Sequence, residues 1–212
     1  MESRPSFLVN NKKKICLICE GHEEYDYISR LLKLGVWSDV YDFELVNAES
    51  NGNISARYQD RYQSDSYDIV LVFCDTDRKP HHDYELIKKK INDIFGKNNA
   101  ADKVIIFVNP CTMQVQLLHF DDIKLRTQNK NKNASEIERL TGIKNYKANK
   151  EQRLAMCGLI SKKNYQKMKE RLKSLSDDYK TESSSNFSLF LSRFESDDDS
   201  WIDKLNKELE GE

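Results

Sequence analysis

Four acidic residues stand where their type and spacing suit divalent-cation chemistry: Glu20 and Glu24, four apart, and Asp75 and Asp77, two apart. Carboxylates are the hard oxygen donors that Mg²⁺ prefers, and several of them held together repel one another unless a cation lies between them. Each pair follows an apolar run. Ile15 to Cys19 leads into Glu20-Gly21, and Ile69 to Cys74 leads into Asp75-Thr76-Asp77. Any one of these acids reads equally well as an ordinary helix-capping residue. What singles them out is joint placement at the ends of two strands. Glu24, one helical turn beyond Glu20, can face the same point.

The elements that must position these residues follow from the periodicity. Continuous apolar runs of five or six residues predict strands buried on both faces. Between them, Tyr27, Leu31 and Leu34 share one face of a helix from Glu23 to Leu34, which Gly35 stops. Tyr41, Phe43 and Leu45 alternate as a second strand. Ile54, Tyr58 and Tyr62 mark a short helix after the Asn51-Gly52-Asn53 turn, and Leu86 to Phe95 marks another, ending at Gly96. Val104 to Val108 completes a β-α-β-α-β-α-β order. Strands and helices alternating in this way predict an α/β fold, a Rossmann-like parallel sheet with helices on both faces and its functional crevice at the carboxyl ends of the strands.

Beyond Pro110 the pattern predicts a helical C-terminal extension: Thr112 to Phe120, Ser135 to Leu140, Glu151 to Ile160 and Asn164 to Leu175. The Lys- and Asn-rich stretch Gln128 to Asn133 reads as a spacer, and Ser176 to Asn186 as a linker. Ser200 with Asp203 reads as a capping-box start for a last helix. The expected division is an α/β domain over 12–123 and a basic helical extension with an acidic tail over 124–212. Residues 124–173 carry 15 Lys and Arg against 4 Asp and Glu, whereas residues 174–212 carry 4 against 11. The basic stretch, with Lys124, Arg126, Lys130, Lys132, Arg139, Lys144, Lys147, Lys150 and Arg153, suits phosphate neutralisation. The acidic tail would then shield it. Arg57 and Arg61, four apart on the short helix, add a second candidate phosphate contact.

Charged residues make up 33% of the 212 and apolar residues 38%, a balance that excludes a disordered or membrane-embedded chain. No stretch approaches a spanning length, and Met1 to Asn11 lacks signal-peptide order, so a cytoplasmic location is expected. Five cysteines, an odd number mostly within apolar segments, predict buried thiols in a reducing compartment. Cys16 and Cys19 form a C-x-x-C inside a strand, where they would face opposite sides. That placement argues against zinc.

Glu20-Gly21-His22-Glu23-Glu24 with Tyr27, followed by Asp75-Thr76-Asp77 after an apolar strand, resembles the Toprim domain in the form seen in RloB-like proteins, relatives of the OLD-family nucleases. Glu20, Gly21, Glu24 and Tyr27 match an E-G-x-T-E-x-x-Y motif, with Glu23 in the Thr position. Asn109-Pro110-Cys111 through Leu117-Leu118-His119-Phe120 is similar to the N-P-C-F-E-x-W-x-L-L-H-F block. There, Thr112, Met113 and Val115 replace Phe, Glu and Trp, so an acidic ligand of the family is absent. The resemblance covers roughly residues 14–120.

The resemblance implies a metal-dependent nuclease acting on DNA or RNA in bacterial defence against phage, with Mg²⁺ or Mn²⁺ as cofactor. Glu20 would serve as general acid or base or as a ligand, and Asp75 and Asp77 as ligands. Glu24 joins the ligand candidates, and His119 could contact phosphate, although a packed structural histidine is the simpler reading. No G-x-x-x-x-G-K-[ST] loop occurs, so an ATPase partner would be encoded separately. Self-association is compatible with this arrangement. Two alternatives stay open: an inactive nucleic-acid-binding or docking module on the same fold, and a D-x-D phosphotransferase of the haloacid-dehalogenase kind. In the latter, the motif normally follows the first strand rather than the third.

Overall fold

The structure is a computed structural model that describes residues 12–77 and 79–211. β1 (Lys13–Cys19) and β3 (Ile69–Asp75) are the two continuous apolar runs, and Ile15 to Cys19 and Ile69 to Cys74 are buried throughout. β2 (Tyr41–Asn47) and β4 (Ile105–Asn109) flank them in the parallel order β2-β1-β3-β4. From β1 the chain moves outward to β2 and then returns past β1 to β3. This reversal opens a crevice at the carboxyl ends of β1 and β3.

Helices cover both faces of the sheet. α1 (His22–Leu34) ends at Gly35, whose φ of 57° is the left-handed conformation a helix C-cap uses at little cost when the residue is glycine. α2 (Asn51–Gln63) and α3 (His82–Phe95) pack together on one face. On the other face α1 meets α7 (Lys150–Leu159), α5 (Met113–Leu118) meets α8 (Lys162–Leu172), and α8 meets α9 (Phe187–Phe194). Tyr27 of α1 joins the layers, with its ring 6.4 Å from Phe73 and 6.5 Å from Phe187. All five cysteines are free and buried.

Several elements depart from the sequence expectation. Ala100–Val104 forms a short helix, α4, so the fourth strand begins at Ile105 rather than Val104. α6 (Lys130–Thr141) takes in most of the predicted Lys- and Asn-rich spacer, because the Asn129 side chain accepts from the N–H groups of Asn131 and Lys132 at 3.0 and 3.3 Å. The predicted linker contains β5 (Ser184–Ser185), which pairs antiparallel with β4. Beyond it, Asn186 extends the coverage of the β4 edge: its Oδ1 accepts from Phe107 N–H and its Nδ2 donates to Ile105 C=O, both at 2.8 Å. α10 (Ser200–Glu210) is entered through Asp199, with no side-chain cap bond, so Ser200 lies inside the helix and the predicted capping box does not form.

Of the acidic C-terminal stretch, Glu195 pairs with Lys169 of α8 and Glu182 lines a cavity with Arg126, whereas α10 lies away from the basic helices. α10 runs along the amino edge of the sheet, where Asp203 pairs with Lys13 at 3.2 Å and Asn206 donates to Asp68 C=O at 2.8 Å. Phe187, Phe190, Leu191, Phe194, Ile202, Leu205 and Leu209 belong to the principal core. The expected shielding tail is therefore part of the fold. A second apolar cluster under α6 holds Met113, Leu117, Leu125, Ile137, Tyr146 and Met156. No helix among the described residues is long and apolar enough to cross a membrane.

Candidate functional site

Because β1 and β3 are neighbours in register, with Cys19 opposite Phe73, the acids that follow them meet at the crevice. Glu20 N–H donates to Phe73 C=O at 3.1 Å, and the Glu20 Oε2 accepts from Asp75 N–H at 2.9 Å. The two strand ends are thus tied through the acidic side chain itself. Asp75 Oδ1 accepts from the Thr112 hydroxyl at 2.8 Å. Asp77 has φ of 56°, a left-handed conformation that aspartate tolerates better than most residues. Its Oδ2 accepts from Asn51 Nδ2 at 2.6 Å. Glu24 reaches back to Gly21 N–H at 3.0 Å as the acidic half of a capping box.

These four carboxylates line one cleft of about 400 Å³ together with Glu23, and two cations, Lys130 and Arg153, face them. Lys130 Nζ pairs with Glu23 at 2.8 Å, and Arg153 Nε with Asp26 at 2.7 Å. Tyr146 OH donates to Glu23 at 2.8 Å. The basic helices are consequently fastened over the acidic crevice by ion pairs to α1. Both cations already have acidic partners, so the crevice keeps an excess of negative charge.

That excess raises the proton affinity of the acids. Loss of water, then repulsion from Glu24, Asp77 and Glu23, holds the Glu20 carboxyl well above its ordinary range, against the lowering effect of the Asp75 N–H. Loss of water, then Glu24 and Glu20, raises Asp75 likewise. Glu24 is raised by its burial and by Glu23. Such an arrangement costs folding energy, and clefts that tolerate that cost are commonly functional. Among the described residues, however, no group of three or more His, Cys, Asp or Glu side chains is gathered closely enough to hold one metal ion. Each carboxylate is instead turned onto a local hydrogen-bond donor. The hard oxygen donor set and its mutual repulsion fit a divalent cation, and binding one would require some of these bonds to be exchanged.

The remaining predicted site residues are dispersed. Lys124, Arg126 and Lys132 are exposed and lie outside this cleft. Arg57 is exposed on α2 and Arg61 lies 3.9 Å from Glu44, and neither lines the cleft. His119 is buried, 3.0 Å from Tyr27 OH and 3.2 Å from Asn164 Oδ1, and loss of water lowers its pKa to about 4. It is a packed core histidine. Met113 is buried in the second apolar cluster. Thr112 and Asn51 carry no local sequence signal as partners of the acids, because their roles arise only from long-range contact. No family model matches this chain, and no curated protein or solved structure matches it.

Proposed function

We propose that the crevice at the β1–β3 carboxyl edge is a divalent-metal site for phosphodiester hydrolysis in nucleic acid, of the Toprim kind that the motifs resemble. The observation that carries this reading is the convergence of Glu20, Glu24, Asp75 and Asp77 on one open cleft at the topological switch point, with Lys130 and Arg153 also in its wall. Glu20, Asp75 and Asp77 would hold Mg²⁺ or Mn²⁺, with Glu24 as a further donor. When bound, the ion supplies Lewis acidity toward a phosphoryl oxygen and a more acidic water.

The chain's own residues supply the rest. Lys130, on a helix fastened across the cleft, is placed to meet a phosphate oxygen, and Arg153 adds a planar donor set suited to the same anion. Thr112 orients Asp75, and Asn51 orients Asp77. Glu20, at the junction of both strands, would serve as general acid or base where it is not a ligand. A defence role and an ATPase partner belong to this proposal through the resemblance alone.

The test is cleavage of mixed single-stranded and duplex DNA and RNA with Mg²⁺, Mn²⁺ or EDTA, by wild type and by Asp75→Asn. Metal-dependent cleavage lost in the variant is the expected result. Nucleic-acid binding with no cleavage under any condition would favour the inactive docking module instead.

A further inference from the structure

Beside the acidic cleft lies a second cavity, of about 290 Å³, and the two share Asp77 and Gln128 as their dividing wall. Its rim carries Arg126, and Lys79 paired with Glu182 at 3.8 Å, while Pro110 and Leu125 give it apolar surface. His81, also in the wall, has its Nδ1 placed 2.9 and 3.1 Å from the carbonyl oxygens of Thr76 and Asp77. Carbonyls only accept, so Nδ1 carries the proton, and in the neutral ring Nε2 is left as an acceptor. That Nε2 is buried without a partner among the described residues, and so is the Oε1 of Gln128. Orphaned buried acceptors are uncommon in folded proteins and mark places where a donor is missing.

A mixed wall of this kind, apolar on one side, with unpartnered acceptors just beneath it on the other and charges of both signs at the mouth, fits one nucleoside unit. The volume sits at the small end of ligand pockets, and a base can enter such a cavity only when it is out of a duplex stack. We propose that this cavity receives one unpaired nucleotide adjacent to the phosphate held in the acidic cleft. The protein would therefore select single-stranded, or locally unpaired, nucleic acid. The inference rests on the phosphodiester reading of the neighbouring cleft. It adds the strand state of the substrate and residues that would select it. Base amino and imino groups would donate to the orphaned acceptors, Pro110 and Leu125 would cover a base face, and Arg126 would meet the next phosphate.

An abasic scan tests this. A short fluorescein-labelled single strand, made in DNA and in RNA, is prepared as a series in which one nucleotide at a time lacks its base. Binding to the full chain is followed by fluorescence anisotropy, with Ca²⁺ replacing Mg²⁺ so that the strand stays intact. One abasic position is expected to weaken binding about tenfold, its neighbours having little effect. Fully paired duplex should compete poorly. Thr127→Trp, which fills the cavity from its wall, should abolish the positional effect. A flat abasic profile on wild type, or equal binding of duplex and single strand, overturns the inference whatever the variant does. Cleavage with a flat profile would remove this inference alone, and a sharp profile without cleavage would remove the hydrolytic reading alone.

Discussion

At the level of single residues, the acids of the cleft are held where they destabilise the fold. Glu20, Glu24 and Asp75 all titrate above the ordinary carboxylate range, chiefly through lost hydration and then through one another. A group whose folded pKa is raised gives a contribution to stability that is complete below its unfolded pKa, about 4 for these side chains. The contribution is lost as pH rises through the folded value. Asp75→Asn removes one such charge while keeping an acceptor for Thr112. In EDTA it should stabilise the protein at pH 8, by about 1 kcal/mol or more, which is about 2–4 °C in Tm for a chain of this size. The gain should shrink toward pH 5. Thermal scans of both proteins across that range would check it, and a variant less stable than wild type at pH 8 would show that Asp75 is not under repulsion.

At the level of elements, the carboxyl edge was legible in the sequence because it depends on local signals. Two uninterrupted apolar runs can only be strands covered on both sides, and the acids following Cys19 and Cys74 had to fall on one edge once the sheet was parallel. α4, β5 and α9 lacked such signals. Ser184–Ser185 is strand only because the β4 edge is there to receive it, and Phe187–Phe194, between serine-rich and aspartate-rich stretches, is too short to show a period. Thr112 and Asn51 were illegible as site residues for the same reason, since each meets its acid across a long sequence separation. The covering of β4 makes a separate prediction. Asn186→Ala leaves Phe107 N–H and Ile105 C=O without their partner, and should cost about 2–4 kcal/mol in urea unfolding. A loss under about 0.5 kcal/mol, the scale of a neutral surface substitution, would mean that the edge is not sealed by this side chain.

At the scale of the whole molecule, the charge asymmetry of the sequence is only partly kept in space: Glu182 and Glu195 sit beside Arg126 and Lys169, while the last helix and the basic helices α6 and α7 take opposite edges of the sheet. Basic helices α6 and α7 lie over the carboxyl edge, fastened by Glu23 and Asp26, while acidic α10 closes the amino edge beside Lys13 and Lys103. An acidic tail and a basic surface looked complementary in sequence because charge counts carry no information about which edge each segment reaches. Removing residues 176–212 takes α9 and α10 out of the principal core and β5 off the sheet. The truncated chain should therefore lose cooperative unfolding and near-ultraviolet dichroism rather than gain affinity for nucleic acid. A folded truncate with tighter binding would restore the shielding idea.

The claim on which the functional account depends is that the β1–β3 crevice takes a divalent cation. The most direct measurement is a Mn²⁺ titration of the full chain followed by electron paramagnetic resonance, with Asp75→Asn and Glu20→Gln in parallel. The account predicts saturable binding by wild type at sub-millimolar Mn²⁺, weakened at least tenfold in either variant and competed by Mg²⁺. Equal, non-saturating uptake by all three proteins would contradict it and leave the acids as a charged crevice without an ion.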